Sequence, residues 1–475
     1  MQRKEPRPRT VHGRKDKALR YLGIDIGSSF LKSAVLDTDQ MRVLDAESVP
    51  TPAFKALGPN RREIPMARLA EEVRALIERA AAKDRIDGVV FDVQMHGFML
   101  FSPDGTPLTD YISWQDTRGV AEGWNGQSVF EYLQREAFAA YLAEDGVMLR
   151  PNHSVVPLVH YKRERGIASG TQLAMIGDGL TRLLCGTRCA VHPTNGAATG
   201  LYSLLRRDWN REFLDTLGLS GLDLPPVTAS REPYAVYRSA AGEIPIYAAV
   251  GDQQAAILGI GARKNDAFIN IGTGGQVGFV TDEFLPGQYE TRPFFGGNYL
   301  RTVTQLPSGR AVNVLAHFLL SVGRDVFGPE KGEAGTAQGS CGPEENGTAE
   351  DGLMERIWRY MDTAGPDAAD ISPLGISLDF FEPGGGSVTG ITDSNFTVGN
   401  LLRSTYGAIA ERYAAEAERI HIAEHMTGEV ICTGGILRKN PQLYRCIENA
   451  LRRPCRIADC KNDTMQGLLA FMSGR

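Results

Sequence analysis

The chain lacks an apolar run approaching the roughly 18–20 residues that a membrane-spanning helix needs, which argues against a membrane role. No C-x-x-C pair occurs among its seven cysteines, at 185, 189, 341, 432, 446, 455 and 460. An odd number without that spacing argues against a disulfide scaffold or zinc site and for free thiols in a reducing, cytoplasmic setting. No apolar segment follows the basic N-terminus, so a secretory signal is excluded, and the N-x-[ST] sequons at Asn152, Asn346 and Asn395 read as chance. There is no G-x-x-x-x-G-K-[ST], hence no P-loop. There is also no overall basic excess. The net charge of −6 argues against a protein dedicated to nucleic acid.

What remains is ordinary globular material: 475 residues, 42% hydrophobic and 23% charged, enough for two or three domains. Residues 1–20 stand apart, with eight basic side chains, two acidic ones and little apolar content. They read as a solvated tail that cannot offset its own ordering entropy. From residue 21 the pattern becomes regular. Residues 21–26 and 31–36 read as strands around a Gly27-Ser28-Ser29 turn, 66–82 as an amphipathic helix and 88–93 as a strand. Residues 172–186 and 400–426 read as helices. Residues 328–352, Gly- and Glu-rich, read as a loop or insertion.

The chemistry concentrates in short segments. In Gly23-x-Asp25-x-Gly27-Ser28-Ser29 a glycine turn lets backbone N–H groups approach a phosphate, and a strand-end aspartate can hold Mg²⁺. An ordinary hairpin with a surface aspartate would look the same. The device recurs at Gly272-Thr273-Gly274-Gly275, again between two apolar strands. Two such turns, about 240 residues apart, favour phosphate binding by two similar lobes. Asp252 opens a helix after the strand 246–250, as a general base or simply a cap. Gln94-Met95-His96-Gly97 follows a strand and suits hydrogen bonds to a polyol, or holds a satisfied loop histidine. Asp116 and Arg118 are equally readable as a site pair or a structural ion pair. His421 and His425, without an acidic ligand motif, read as surface residues.

Together these segments resemble the FGGY carbohydrate kinases over about residues 20–473. The resemblance runs through the first turn at 23–32, Q-M-H-G at 94–97, W-x-D-x-R at 114–118, G-D-Q-Q at 251–254, I-G-T-G-G at 271–275 and T-G-G-x-x-x-x-N at 433–440. It implies an α/β fold of two ribonuclease-H-like lobes, the actin–hexokinase–heat-shock ATPase superfold, each with a five-stranded mixed sheet. An interlobe cleft holds the active site, and the lobes span 21–249 and 250–475. It further implies ATP-dependent phosphorylation of a sugar primary hydroxyl with Mg²⁺. Asp252 would be the base, and Asp25 would hold the metal. Ser28, Ser29 and Lys32 would face the phosphates from one side, with Gly272, Thr273 and Gly274 facing them from the other. Gly309, Asn313, Gly435 and Asn440 would line the nucleotide site, and Met95, His96 and Gln253 would touch sugar. Sugar and Mg-ATP are then the partners, with no nucleic acid and no membrane, and a homodimer is compatible with the resemblance. Within the family the phrases Ser113-Trp-Gln-Asp116, Leu184-Cys-Gly186 and Leu437-Arg-Lys-Asn440 are most like sedoheptulokinases, with kinases for xylulose or another polyol as the alternative. A non-catalytic nucleotide-binding regulator on the same fold is the alternative of another class. Thr117 and Gly407 depart from the family pattern.

Overall fold

The computed structural model describes residues 19–121, 123, 126–188, 190–272, 274–327, 345–363, 371–380, 384–460 and 462–474. The N-terminal basic segment to residue 18, Thr273 and residues 328–344 lie outside these.

Two sheets organise the molecule. The first contains β1 (Arg20–Ile26), β2 (Phe30–Asp37), β3 (Arg42–Pro50), β4 (Gly88–Val93), β5 (Pro233–Ser239), β6 (Gly242–Tyr247) and β7 (Val250–Gly251). Its order is β5-β6-β4-β1-β2-β3, with β7 pairing with β4. The second contains β8 (Ala267–Ile271), β9 (Gly275–Thr281), β10 (Glu290–Pro293), β11 (Tyr299–Leu306), β12 (Val430–Thr433) and β13 (Cys455–Ile457), in the order β10-β11-β9-β8-β12-β13. Both mix parallel and antiparallel pairs. They have seven and six strands where five each were expected, because the edge hairpin β5–β6 with β7 and the meander β9–β11–β10 extend them.

β1 is buried along nearly its whole length because both faces of its sheet are covered. On one face packs α1 (Met66–Lys83), whose stripe Leu69, Val73, Leu76 and Ile77 meets Ile24, Phe91 and Ile246. The other face is covered from the far end of the sequence. Helix 463–473 places Met465, Leu468 and Leu469 on Leu36 and Val90. That helix crosses helix 252–259 in backbone contact. A Cβ on Gly259 would collide with Asp463 O, and one on Gly467 with Ala255 O, so only glycine permits the approach. Through this crossing the last helix reaches the carboxyl ends of β1 and β4.

A third core, unread in the sequence, fills residues 98–222 with short helices around Leu133, Val156, Trp209 and Phe213, and takes in Tyr299 of β11. Two further elements differ from expectation. The supposed helix 172–186 starts as a strand, 172–174, before helix 176–185, and a helix spanning 345–363 takes up the last part, 345–352, of the segment read as a loop.

Candidate active site

Asp25 closes β1, 5% exposed. In register it faces Lys32 of β2 and Asp92 of β4. Its Oδ2 accepts from Lys32 Nζ at 3.1 Å and from the Thr464 hydroxyl at 3.3 Å. Above it the 27–29 turn is pinned from outside: Thr51 donates its hydroxyl to Gly27 O at 2.8 Å and its N–H to Ser29 O at 3.0 Å. Among the described residues the hydroxyls of Ser28 and Ser29 have no protein partner.

Asp252 is the first residue of helix 252–259, after Gly251, which pairs with Val93. Gly251 is required there because a Cβ would strike the Met95 sulfur. The Asp252 carboxyl is pushed up to about 6 by burial first, and then by the charge of Asp25, against the pull of the Gln253 N–H. A base with that pKa is ionised at neutral pH yet basic enough to take a hydroxyl proton.

The floor of the site holds polar groups without partners. Asp92 is fully buried, and neither carboxyl oxygen has a hydrogen bond. Burial, followed by the charges of Asp25 and Asp252, raises its pKa well above the ordinary value, which favours the protonated form beside Asp25. Gln94, two residues on and 4% exposed, leaves both amide atoms unpaired, as does the hydroxyl of buried Tyr111. Unpaired buried groups are rare in native proteins, and their gathering at the ends of β1, β4 and β7 marks a place where ligand or water completes them.

His96 sits at φ +66°, a left-handed conformation a histidine adopts only under constraint. Both ring nitrogens are used. Nδ1 lies 2.8 Å from Ala198 O, which can only accept, so Nδ1 carries the proton. Nε2 then accepts from Arg292 Nη2 at 3.3 Å. Burial, and secondarily Arg292, lowers its pKa well below the usual value, consistent with the neutral form. Arg292, on β10, also donates to Gln253 Oε1 at 2.8 Å and pairs with Glu290 through Nε at 3.0 Å. Burial raises the Glu290 carboxyl, but Arg292, His153 and Arg150 pull it down to about 2. Gln253 Nε2 meets Gln276 of β9 at 2.9 Å. Arg292, Glu290 and Asp92 were not among the residues expected from sequence.

In the second turn Gly274 is open, as is Gly435 elsewhere: a Cβ on either would meet nothing within 4 Å. Gly309 is different. It is packed against the second turn, its N–H donating to Gly272 O at 3.0 Å, and a Cβ there would meet that oxygen and Ile436. Asn313 is exposed on helix 309–327. Asn440 is buried and occupied. Its Oδ1 caps helix 441–451 at Leu443 N, and its Nδ2 donates to the Tyr406 hydroxyl at 2.7 Å, so it shapes the loop from beneath. Asp116 and Arg118 form a buried bidentate pair, with Arg118 also reaching Glu63 at 2.7 Å; they brace a loop. Asp25, Lys32, Met95, His96, Asp252 and Gln253 thus lie close together where β1, β4 and β7 end. Mg²⁺ takes few carboxylates and keeps its waters, and the single carboxylate of Asp25 at the end of β1 fits such an ion. Among the described residues no group of three His, Cys, Asp or Glu side chains forms a denser metal cage. Among the same residues no helix is long and apolar enough to cross a membrane.

Comparison with known proteins adds a pattern match over residues 20–259 to the FGGY family of carbohydrate kinases, N-terminal domain. Human sedoheptulokinase is 24% identical over 479 residues, covering 91% of this chain and 93% of that protein. Glycerol kinase 2 of Streptomyces avermitilis is 29% identical over 225 residues, 43% of this chain and 44% of its own. The chain therefore spans about half the length of the glycerol kinases it matches. The crystal structure of xylulose kinase from Rhodospirillum rubrum superimposes with a TM-score of 0.77 at 19% identity, over 96% of this chain and 90% of that one, which places the fold among the two-lobed kinases. With a family pattern covering half its length and site segments in one cleft, the chain belongs to the FGGY family of carbohydrate kinases.

Proposed function

We propose that the protein transfers the terminal phosphoryl group of ATP to a primary hydroxyl of a sugar, with sedoheptulose as acceptor. The observation that carries the reading is Asp252, half-buried at a helix start with its pKa raised to about 6, beside the unpartnered polar floor of Asp92, Gln94 and Tyr111. Asp252 takes the hydroxyl proton as the sugar oxygen attacks. Phosphoryl transfer asks the protein mainly for positioning and charge neutralisation. Ser28, Ser29, Lys32 and the 272–274 turn position the phosphates, and Gly435 and Asn313 border the nucleotide. Asp25 holds Mg²⁺, which when bound neutralises phosphate charge. Arg292, held by His96, Gln253 and Glu290, meets the sugar hydroxyls, with Met95 supporting the backbone of the base. The first lobe, to about residue 249, carries sugar, with Arg292 and Gln253 reaching it from the second lobe, whose remaining part carries nucleotide. Closure of the two excludes water, a competing acceptor.

Sedoheptulose is chosen because the likeness to human sedoheptulokinase runs through nearly both chains. A coupled ADP assay over sedoheptulose, xylulose, glycerol and gluconate tests it. The highest kcat/KM on sedoheptulose is expected. A higher value on another acceptor replaces the substrate, and ATP binding without turnover on any of them favours the regulator.

A further inference from the structure

β10, which brings Arg292 to the sugar cleft, continues into the wall of a second cavity. Successive strand residues point to opposite faces, so Pro293 lines this space while Arg292 does not. The cavity measures about 660 Å³, within the range of small-molecule sites. Its interior is aromatic. Phe295 packs on Phe294 at 5.2 Å, on Phe471 at 5.1 Å and on the His192 ring at 5.7 Å between centroids, and Tyr202 and Tyr299 complete the wall. Its rim is cationic: Arg207, Arg231 and Arg263 all line it and all are exposed. Arg207 lies over the Tyr299 ring and donates to Gly297 O at 3.2 Å, and Arg231 donates to Phe471 O at 3.1 Å. Among the described residues none of the three has a carboxylate partner. None of the glycine-turn residues borders the cavity.

An apolar, ring-lined interior is wrong for a sugar, and three uncompensated guanidinium groups at its mouth are wrong for a neutral hydrophobe. We infer that the cavity binds a small aromatic anion, its planar body against Phe294 and Phe471 and its acid group at the arginine rim. The walls come from separate parts of the molecule: residues 192–231 belong largely to the third core, 470–474 end the helix that covers the first sheet, and 293–299 join two strands of the second sheet. One hydrogen-bonded route and one run of chain lead from them to the sugar site. His192 Nδ1 lies 2.8 Å from the Thr194 hydroxyl, which accepts from the N–H of Gly251 at 2.9 Å, one residue before Asp252. On the other wall, Phe294 is two residues from Arg292. A ligand bridging both walls favours one arrangement of the two sheets over others, and so shifts sugar affinity. This last step rests on the kinase reading; the binding itself does not.

Anilinonaphthalene sulfonate supplies the required aromatic body and fixed anion. Titrated into the full chain without substrates, its fluorescence should saturate at one site and persist in excess ATP. Arg207→Glu combined with Arg263→Glu should weaken binding by about tenfold with unchanged Tm. Ala229→Trp, which fills the exposed rim, should abolish it. At saturating probe the sugar KM should move by about fivefold in wild type and stay fixed in the double variant. Absence of saturable binding, displacement by ATP, or binding indifferent to both sets of changes overturns the site. Variant-sensitive binding with an unmoved KM overturns the coupling alone. If no sugar is turned over, the kinase reading fails while the titration still decides the cavity.

Discussion

The two glycine turns are built alike and furnished differently. In the first hairpin, the strand position below the turn holds Asp25, paired in register with Lys32. In the second, the residue one before the strand end is Asn270, paired with Gln276. One copy carries a charge pair beneath its turn, the other an amide pair. The turns differ too: a Cβ on Gly27 would lie 2.9 Å from Phe30 O, whereas one on Gly274 would meet nothing. The first hairpin is therefore closed and electrostatic, suited to metal and transferring phosphate. The second is open and neutral, suited to backbone approach by phosphates already neutralised. The base stands on the charged side, with Gln276 reaching it through Gln253.

The largest effect should come from the base. Asp252→Asn should lower kcat by roughly 10²–10⁴-fold while ATP binding persists. Because an ionised Asp252 is needed and its pKa lies near 6, wild-type kcat/KM should fall as pH drops through about 6, and that limb should vanish in the variant. Activity within threefold of wild type, measured by the coupled assay, would remove Asp252 from the mechanism and with it the asymmetry.

The next test makes the first hairpin resemble the second. Asp25→Asn should cost roughly 10²–10³-fold in kcat by removing preorganised charge from the transfer site. Adding Asn270→Asp should not restore it, because the second hairpin has no lysine opposite. Recovery in the double variant, read from Mg²⁺-dependent turnover, would make the two copies interchangeable. A milder probe is glycine itself. Gly274→Ala should leave Tm unchanged and raise the KM for ATP, while Gly27→Ala should lower Tm, since Phe30 O must shift.

Arg292 tests the link between the sides. Arg292→Gln leaves His96 Nε2 without its cation, leaves Glu290 only the longer pairings with Arg150 and His153, and removes a donor from the sugar site. The expected loss is about 1–3 kcal/mol, or roughly 5–150-fold in kcat/KM for sugar, with the KM for ATP little moved. Equal changes in both KM values would assign Arg292 a structural role.

Which of these residues could be read in advance follows from how each signals. The turns, Asp25 and Asp252 stand where glycine, hydroxyl and strand end coincide, so local pattern exposes them. Asn440 before Pro441 has the local pattern of a helix cap, and in the structure its Oδ1 caps Leu443 N while its Nδ2 donates to the Tyr406 hydroxyl. Arg292 has no local signal: it reaches His96, 196 residues away, only because β10 lies at the sheet edge beside the cleft. The third core was invisible for a related reason, since its short helices carry weak periodicity and gain their stability from tertiary burial.

Asp92 sits within Gly88-Val-Val-Phe-Asp-Val93, a strand whose apolar run hides one acid, and it gives the smallest and most discriminating prediction. Burial and the neighbouring charges of Asp25 and Asp252 raise its folded pKa well above the unfolded value of about 3.9. The sign follows. At pH below about 4 both states hold the proton and the residue costs nothing through titration. As pH rises, the unfolded chain releases its proton while the folded one keeps it, so stability falls until the folded pKa is passed. Asparagine is neutral throughout. The Tm advantage of Asp92→Asn over wild type should therefore be near zero at acid pH and widen as pH rises above about 4, by about 2–4 °C for each kcal/mol. A gap independent of pH would mean that Asp92 is ionised beside Asp25. The charged side of the cleft would then carry one more negative charge than the comparison of the two hairpins assigns to it.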